Sequence, residues 1–366
     1  MPTLSRRCVR RVGFCWVTLW LACGPSVAAS QSPDRDSRPT VRLIATGGTI
    51  SNRPGGRLTA TQLIAAIPRL SRHVVAETEQ FSNVASSSLT RQDWLSLARR
   101  INELFAKRPD LSGIVVASGT DALEETAFFL HLTVRTDRPV VVVGSMRRPR
   151  TLGYDGARNL LQAFQVAAAP ASRGRGVLVV LNNEINSARD VTKTNAQRLD
   201  TFSSRAHGAL GFVDEHGLVY HRRVEHPHTL ASEFDLRVVW ALPRVDVLLA
   251  YLDAPGDLLV AAVDAGADGL ILAGFGAGGS SPSQREAIRQ VTAAGVPVVM
   301  TTRTGSGRVG PRRRTARSTG SPDPETSVST YISGADLSPI KARILLMLAL
   351  TQGSDIAEIQ RMFLTY

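Results

Sequence analysis

Several stretches of this chain are apolar at every position: Gly113 to Ala117, Pro139 to Val143, and Gly176 to Leu181. A strand with one face in water alternates apolar and polar residues; these do not. They require a sheet covered by helices on both faces, which predicts an α/β fold with largely parallel strands. The second half repeats the theme. Strands are expected at Val245 to Leu252, Asp268 to Ala273 and Val296 to Thr301, alternating with helices at Asp257 to Ala265 and Pro282 to Ala294. Such a βαβαβ unit implies parallel strands with right-handed crossovers. Between the halves, Arg222 to Arg244 holds Pro227 and Pro243 and few long apolar runs. With 366 residues, 43% of them hydrophobic, the chain can bury two cores. The expected fold class is therefore α/β in two domains. A larger N-terminal domain with a mixed or parallel sheet covers 40–222, a linker 223–244, and a smaller parallel-sheet domain 245–366.

Helix signals fill the gaps. Thr59 caps a helix running to Ile67, whose Leu63, Ile64 and Ile67 share a face. Thr90-Arg91-Gln92-Asp93 is a capping box with Asp in place of Glu. Trp94, Leu97, Ala98, Ile101, Leu104 and Phe105 then recur at helical spacing. Asp155 to Ala168 reads as a helix, and two more start at Ser338-Pro339 and at Ser354. The polar stretch Asn182 to Ser204 is long for an idle connector, so it is either functional or a partner contact.

Residues 1–29 read as a signal peptide. Arg6, Arg7, Arg10 and Arg11 precede an apolar segment from Val12 to Cys23, too short for a comfortable membrane span. Val27-Ala28-Ala29 offers a small-residue cleavage site before Ser30. Residues 30–39 form a disordered lead-in. The expected location is periplasmic or secreted, with lipidation at Cys23 as the lesser alternative. Cys8, Cys15 and Cys23 all lie in the leader, so the mature chain carries no disulfide, thiolate metal site or cysteine nucleophile. The net charge of +12 comes from arginine, for lysine occurs only at Lys107, Lys193 and Lys341. The arginines form no stripe interleaved with aromatics, so no nucleic-acid partner is expected. The Arg303 to Arg317 loop reads as solvated.

Elimination narrows the chemistry. The seven histidines form no HExxH and no cluster with carboxylates, so no metal or cofactor is expected. There is no P-loop, and no GxSxG. Gly274-Phe275-Gly276-Ala277-Gly278-Gly279 follows the wrong strand for a dinucleotide loop. What remains is threonine. Thr49 and Thr120 each close a buried strand beside glycine, in Thr46-Gly47-Gly48-Thr49 and Ser118-Gly119-Thr120-Asp121. A threonine hydroxyl needs a base or a charge network to become a nucleophile. Lys193, amid Asp, Thr and Asn, is the natural candidate. Taken singly, however, Lys193 reads as a surface lysine and Asp121 as a helix cap.

Together these segments resemble the bacterial L-asparaginase and glutaminase-asparaginase family, especially its exported type. The resemblance rests on Ala45-Thr46-Gly47-Gly48-Thr49-Ile50, and on Ser118-Gly119-Thr120-Asp121 with Glu124-Glu125-Thr126-Ala127. Val143-Gly144-Ser145-Met146-Arg147 with Asp155-Gly156 and Asn159-Leu160 adds a third motif. The run from Gly176 through Arg189-Asp190-Val191-Thr192-Lys193-Thr194-Asn195, with the tail Lys341-Ala342-Arg343, completes it. The resemblance implies hydrolysis of the L-asparagine side-chain amide to L-aspartate and ammonia through a threonine acyl-enzyme, with L-glutamine as a possible second substrate. It implies Thr49 as nucleophile, Thr120, Asp121 and Lys193 as a second triad, and Asp121, Ser86 and the backbone at Ser87 as substrate-binding groups. It also implies a flavodoxin-like C-terminal domain and a homotetramer with sites between subunits. Four departures stand out, one being Ala277 where the exported type often has an Asn that reaches a neighbour's site. Ser51 to Arg57 is short and lacks the family's Tyr. Ser118 replaces a usual His. An acidic residue lent by a neighbour matches only Asp323 or Glu325. The alternatives are an exported amino-acid binding protein and a catalytically impaired relative.

Overall fold

The computed structural model describes residues 38–311 and 331–366. The leader, Cys23, most of the lead-in, Asp323, Glu325 and the end of the Arg303 to Arg317 loop lie outside the described residues.

The chain opens with β1 (Thr40–Gly47), a tiny hairpin of β2 (Asn52–Arg53) and β3 (Gly56–Arg57), and α1 (Ala60–Ala65). Thr59 caps α1 in a full capping box with Gln62. There follow β4 (Val75–Val84), α2 (Arg91–Lys107), β5 (Leu111–Ala117) and α3 (Leu123–Thr133). The Thr90/Asp93 box forms as expected, with both reciprocal bonds made. Next come β6 (Val140–Val143), α4 (Gly156–Ala168), β7 (Val177–Leu181), β8 (Glu184–Ser187), the short pair β9 (Thr192–Lys193) and β10 (Phe202–Ser203), and the hairpin β11 (Gly211–Asp214) and β12 (Gly217–Tyr220). The C-terminal part holds β13 (Val245–Leu249), α5 (Asp257–Asp264), β14 (Gly269–Gly274), α6 (Pro282–Ala293), β15 (Val298–Thr302), β16 (Ile332–Ser333), α7 (Pro339–Thr351) and α8 (Ile356–Thr365).

The large sheet runs β12-β11-β8-β7-β6-β5-β1-β4. Strands β4, β1, β5, β6 and β7 are parallel; β8, β11 and β12 extend the sheet antiparallel. The unbroken apolar runs are explained by two cores. Ile114, Val116, Val140 and Val142 face α2 and α3, while Val115, Ala117, Val141 and Val143 face α1 and α4. The small sheet, β13-β14-β15-β16, is parallel throughout. Helix α7 lies across it and reaches α3, so one apolar cluster runs from Ile44 in β1 to Ile271 and Leu345.

Three features depart from the sequence reading. β4 is an edge strand of largely polar residues that no apolar pattern announces. It is held by ion pairs of Glu77 and Glu79 to Arg42, Arg100 and Arg108. Part of the polar 182–204 stretch is sheet: β8 continues the main sheet and β9 pairs with β10. The last helix begins at Ile356 with Asp355 as its cap, one residue later than Ser354 would give. No helix among the described residues is long and apolar enough to cross a membrane.

Candidate active site

Adjacency of β1 and β5 brings the two threonine turns together. Ala45 pairs with Ala117, so Thr49 and Thr120 leave neighbouring strands at nearly the same height. The backbones then touch. Gly48 has φ 83°, and a Cβ there would sit 2.1 Å from the Gly119 Cα. A Cβ on Gly119 would meet the Ser86 Oγ at 2.7 Å. Both turns therefore require glycine for close approach, and Gly48 requires it for its left-handed conformation as well. Thr46 Oγ1 ties them further by donating to the Ala117 carbonyl at 3.1 Å. Thr49 opens a single 3-10 turn that ends at Ser51, whose N–H and hydroxyl both donate to the Gly48 carbonyl.

Ser86 arrives from the other side of β1, just beyond β4, and is buried. Its hydroxyl accepts from the Ala122 amide at 3.3 Å. This corrects the reading of Asp121 as a helix cap. The N-cap position of α3 is Ala122 with no side-chain cap, and a free amide there is taken by Ser86 instead. Asp121 points elsewhere: its carboxylate accepts from Lys193 Nζ at 2.9 Å. The same Nζ stands 3.1 Å from Thr120 Oγ1. Thr120 is buried, whereas the Asp121 side chain is 68% exposed. Ser87 is exposed and, with Ser86 and Asp121, lines a cavity of about 240 Å³ whose walls stop short of Thr49, Thr120 and Lys193.

Two buried charges hold the strand that carries Lys193. Glu124, at the start of α3, accepts from the Lys193 amide at 3.0 Å and from Thr192 Oγ1 at 3.1 Å. Lys341, from α7, donates to the carbonyls of Arg189 at 2.7 Å and Val191 at 2.5 Å. Burial pulls the Lys341 ammonium down to about 8. Both residues stood in the motifs quoted above, but only the tertiary contacts reveal their work. A third contact had no sequence signal. Tyr154, in the loop after β6, donates its phenol to the Ile50 carbonyl at 3.0 Å and so pins the turn that begins at Thr49. Ser118 is fully buried with its hydroxyl unpartnered. No group of three or more His, Cys, Asp or Glu among the described residues could hold a metal.

The family model "Asparaginase, N-terminal" matches residues 40–226, and "Glutaminase/Asparaginase C-terminal domain" matches residues 244–363. The chain belongs to the asparaginase family. It is 38% identical to L-asparaginase 2 of Bacillus subtilis (strain 168) over 350 residues, 93% of this chain and 90% of that protein. It is 37% identical to the glutaminase-asparaginase of Pseudomonas fluorescens biotype A over 336 residues, 89% of this chain and 90% of the relative. Among solved structures, that of a probable cytoplasmic L-asparaginase from Campylobacter jejuni superposes with a TM-score of 0.80 at 34% identity, covering 90% of this chain and 100% of that one. Within this asparaginase-family fold, Ser86, Thr49 and Thr120 follow the three adjacent strands β4, β1 and β5, all at their C-terminal ends. Open parallel sheets bind ligands at that edge.

Proposed function

We propose that this chain hydrolyses the side-chain amide of L-asparagine to L-aspartate and ammonia through a threonine acyl-enzyme, accepting L-glutamine as a lesser substrate. The observation that carries the reading is the pairing of two glycine-threonine turns, one of whose hydroxyls contacts the only lysine of the site. Thr49 Oγ attacks the amide carbon, and its proton passes into the Thr120–Lys193 network. The tetrahedral intermediate expels ammonia, which takes a proton as the C–N bond breaks. Water then adds to the ester carbon, and the C–O bond to Thr49 breaks to release aspartate. Lys193 lowers the cost of removing a proton from Thr120, and Asp121 holds Lys193 in place. Backbone amides near Thr120 serve the developing oxyanion, each donor worth roughly 2.7–4 kcal/mol. Ser86 and the backbone at Ser87 take the substrate α-carboxylate, and Asp121 its α-amino group.

The same reading makes the protein an exported homotetramer, with residues 1–29 as leader, 40–222 and 245–366 as the two domains and 223–244 as linker. The test is ammonia release from asparagine and glutamine by the mature protein and its Thr49→Ala and Lys193→Met variants. Release by the wild type and its loss in both variants supports the scheme. Asparagine binding with no ammonia released would mark a binding protein instead.

A further inference from the structure

A groove beside the Thr49 turn has no part in that scheme. It is a cavity of about 510 Å³ between the β2–β3 hairpin and the loop after β6. Arg53 and Arg57 line one bank, Arg148 and Arg150 the other, and no acidic residue lines either. None of these four guanidiniums forms an ion pair among the described residues. That sets them apart from Arg42, Arg100, Arg108, Arg189 and Arg244, each of which meets a carboxylate.

The groove is built rather than loose. Arg57 is aimed by bonds to Asn52 Oδ1 at 2.7 Å and the Asn83 carbonyl at 2.9 Å. Arg53 has its Nε buried with no hydrogen-bond partner. Arg150 sits at φ 66°, in the left-handed region, within a turn closed by Thr151 on the Arg148 carbonyl. The nearest acid of that loop, Asp155, spends its oxygens on the Met146 and Arg147 amides and on Asn159. It therefore does not neutralise the arginines.

Four like charges on two facing banks repel one another and focus a positive potential into the space between. Guanidinium forks match the oxygens of phosphate in pairs. We propose that this groove is a binding site for a small phosphate-class dianion that bridges the two banks. Both banks connect to the candidate nucleophile. β2 follows the Thr49–Ser51 turn directly, and Tyr154 links the Arg148–Arg150 loop to the Ile50 carbonyl. A bound dianion ties hairpin and loop together and stiffens the turn under Thr49. This second step rests on the proposed function; the binding step does not.

Isothermal titration of the mature protein with inorganic phosphate, at ionic strength held constant with chloride, tests the site. Saturable binding is expected in the wild type. It should weaken about 10–100-fold in the Arg53→Gln/Arg148→Gln double variant, as for lost hydrogen bonds to a charged group. Arg148→Gln alone, on an exposed side chain, controls for misfolding and should weaken binding less than the pair. Sedimentation with phosphatidylglycerol vesicles separates a free ligand from a lipid headgroup. No saturable phosphate binding, equal binding by the double variant, or vesicle binding without phosphate binding would each overturn the site. Ammonia release measured with and without phosphate tests the coupling. An increase in the wild type that the double variant lacks supports it, and no increase refutes it. If the wild type releases no ammonia at all, the hydrolase reading fails while the titration still decides the groove.

Discussion

Replacing Lys193 by Met separates catalysis from folding in a way the structure makes quantitative. Met keeps most of the side-chain volume and removes the charge. Two contacts vanish: Nζ to Thr120 Oγ1 at 3.1 Å and to Asp121 Oδ1 at 2.9 Å. The strand itself stays in place, because Glu124 holds the Lys193 amide and Lys341 holds the carbonyls before it. The Asp121 carboxylate left behind is 68% exposed and stays solvated, so losing the ion pair costs about 0–1 kcal/mol. That shifts Tm by roughly 4 °C at most for a domain of this size. The chemical cost is far larger. Removing a positioned proton-transfer group slows a reaction by about 10²–10⁴-fold, or roughly 2.7–5.4 kcal/mol of barrier. A coupled assay of ammonia release under saturating asparagine, beside a thermal melt, reads both. The expected result is kcat down by two to four decades with a near-native melt. A wild-type kcat, or a loss of activity that merely tracks unfolding, refutes the role given to Lys193. Lys193→Arg should not restore the rate, because a guanidinium is not deprotonated in proteins and fits this point contact poorly.

Gly48→Ala should abolish activity and lower the melting temperature, since its Cβ would fall 2.1 Å from Gly119 Cα at φ 83°; a folded, active variant would mean the turns can separate. Tyr154→Phe removes one hydrogen bond to the Ile50 carbonyl, so kcat should fall about 2–12-fold, the equivalent of about 0.5–1.5 kcal/mol, with KM little changed. A wild-type kcat in Tyr154→Phe beside a loss in Tyr154→Ala would assign the effect to packing instead. His131 is fully buried and accepts from the Val177 amide; burial, then the nearby His228, hold its pKa well below the ordinary 6.5. The unfolded chain therefore binds the proton more readily, and stability present above pH 6.5 is lost as pH falls below it. Urea melts from pH 7.5 to 5 should show this decline, and His131→Asn, whose amide oxygen can still accept, should flatten it.

What could be read from the sequence followed from burial and local geometry. The runs through Val115, Val141 and Val179 are apolar on both faces because two cores claim alternate residues, so pattern alone predicted covered parallel strands. The boxes at Thr59 and Thr90 are local devices and were equally plain. β4 was not, because an edge strand stabilised by Glu77 and Glu79 carries charge where a buried strand carries valine. Strand order is a non-local property, and the site depends on it. Nothing local says that β1 lies beside β5, hence that Gly48 rests on Gly119. Asp121 misled for a related reason. Its place before α3 suits a cap, but a lysine 72 residues away competes for the carboxylate and wins. Tyr154 follows no motif, and its partner lies 104 residues away.

The grip of Lys341 on the Arg189 and Val191 carbonyls bears on how such chains can be cut and rejoined. The ammonium belongs to a helix that covers the small sheet, yet the strand it fixes presents Lys193 to Thr120. Arg343, two residues on, forms an ion pair with Glu125 on α3 at 3.5 Å. A chimera that kept the first half and borrowed a second from an unrelated flavodoxin-like protein would retain both threonines and still lose the register of its lysine. The seam for recombination thus cannot be placed within residues 223–244 alone; α7 has to travel with the strands it clamps.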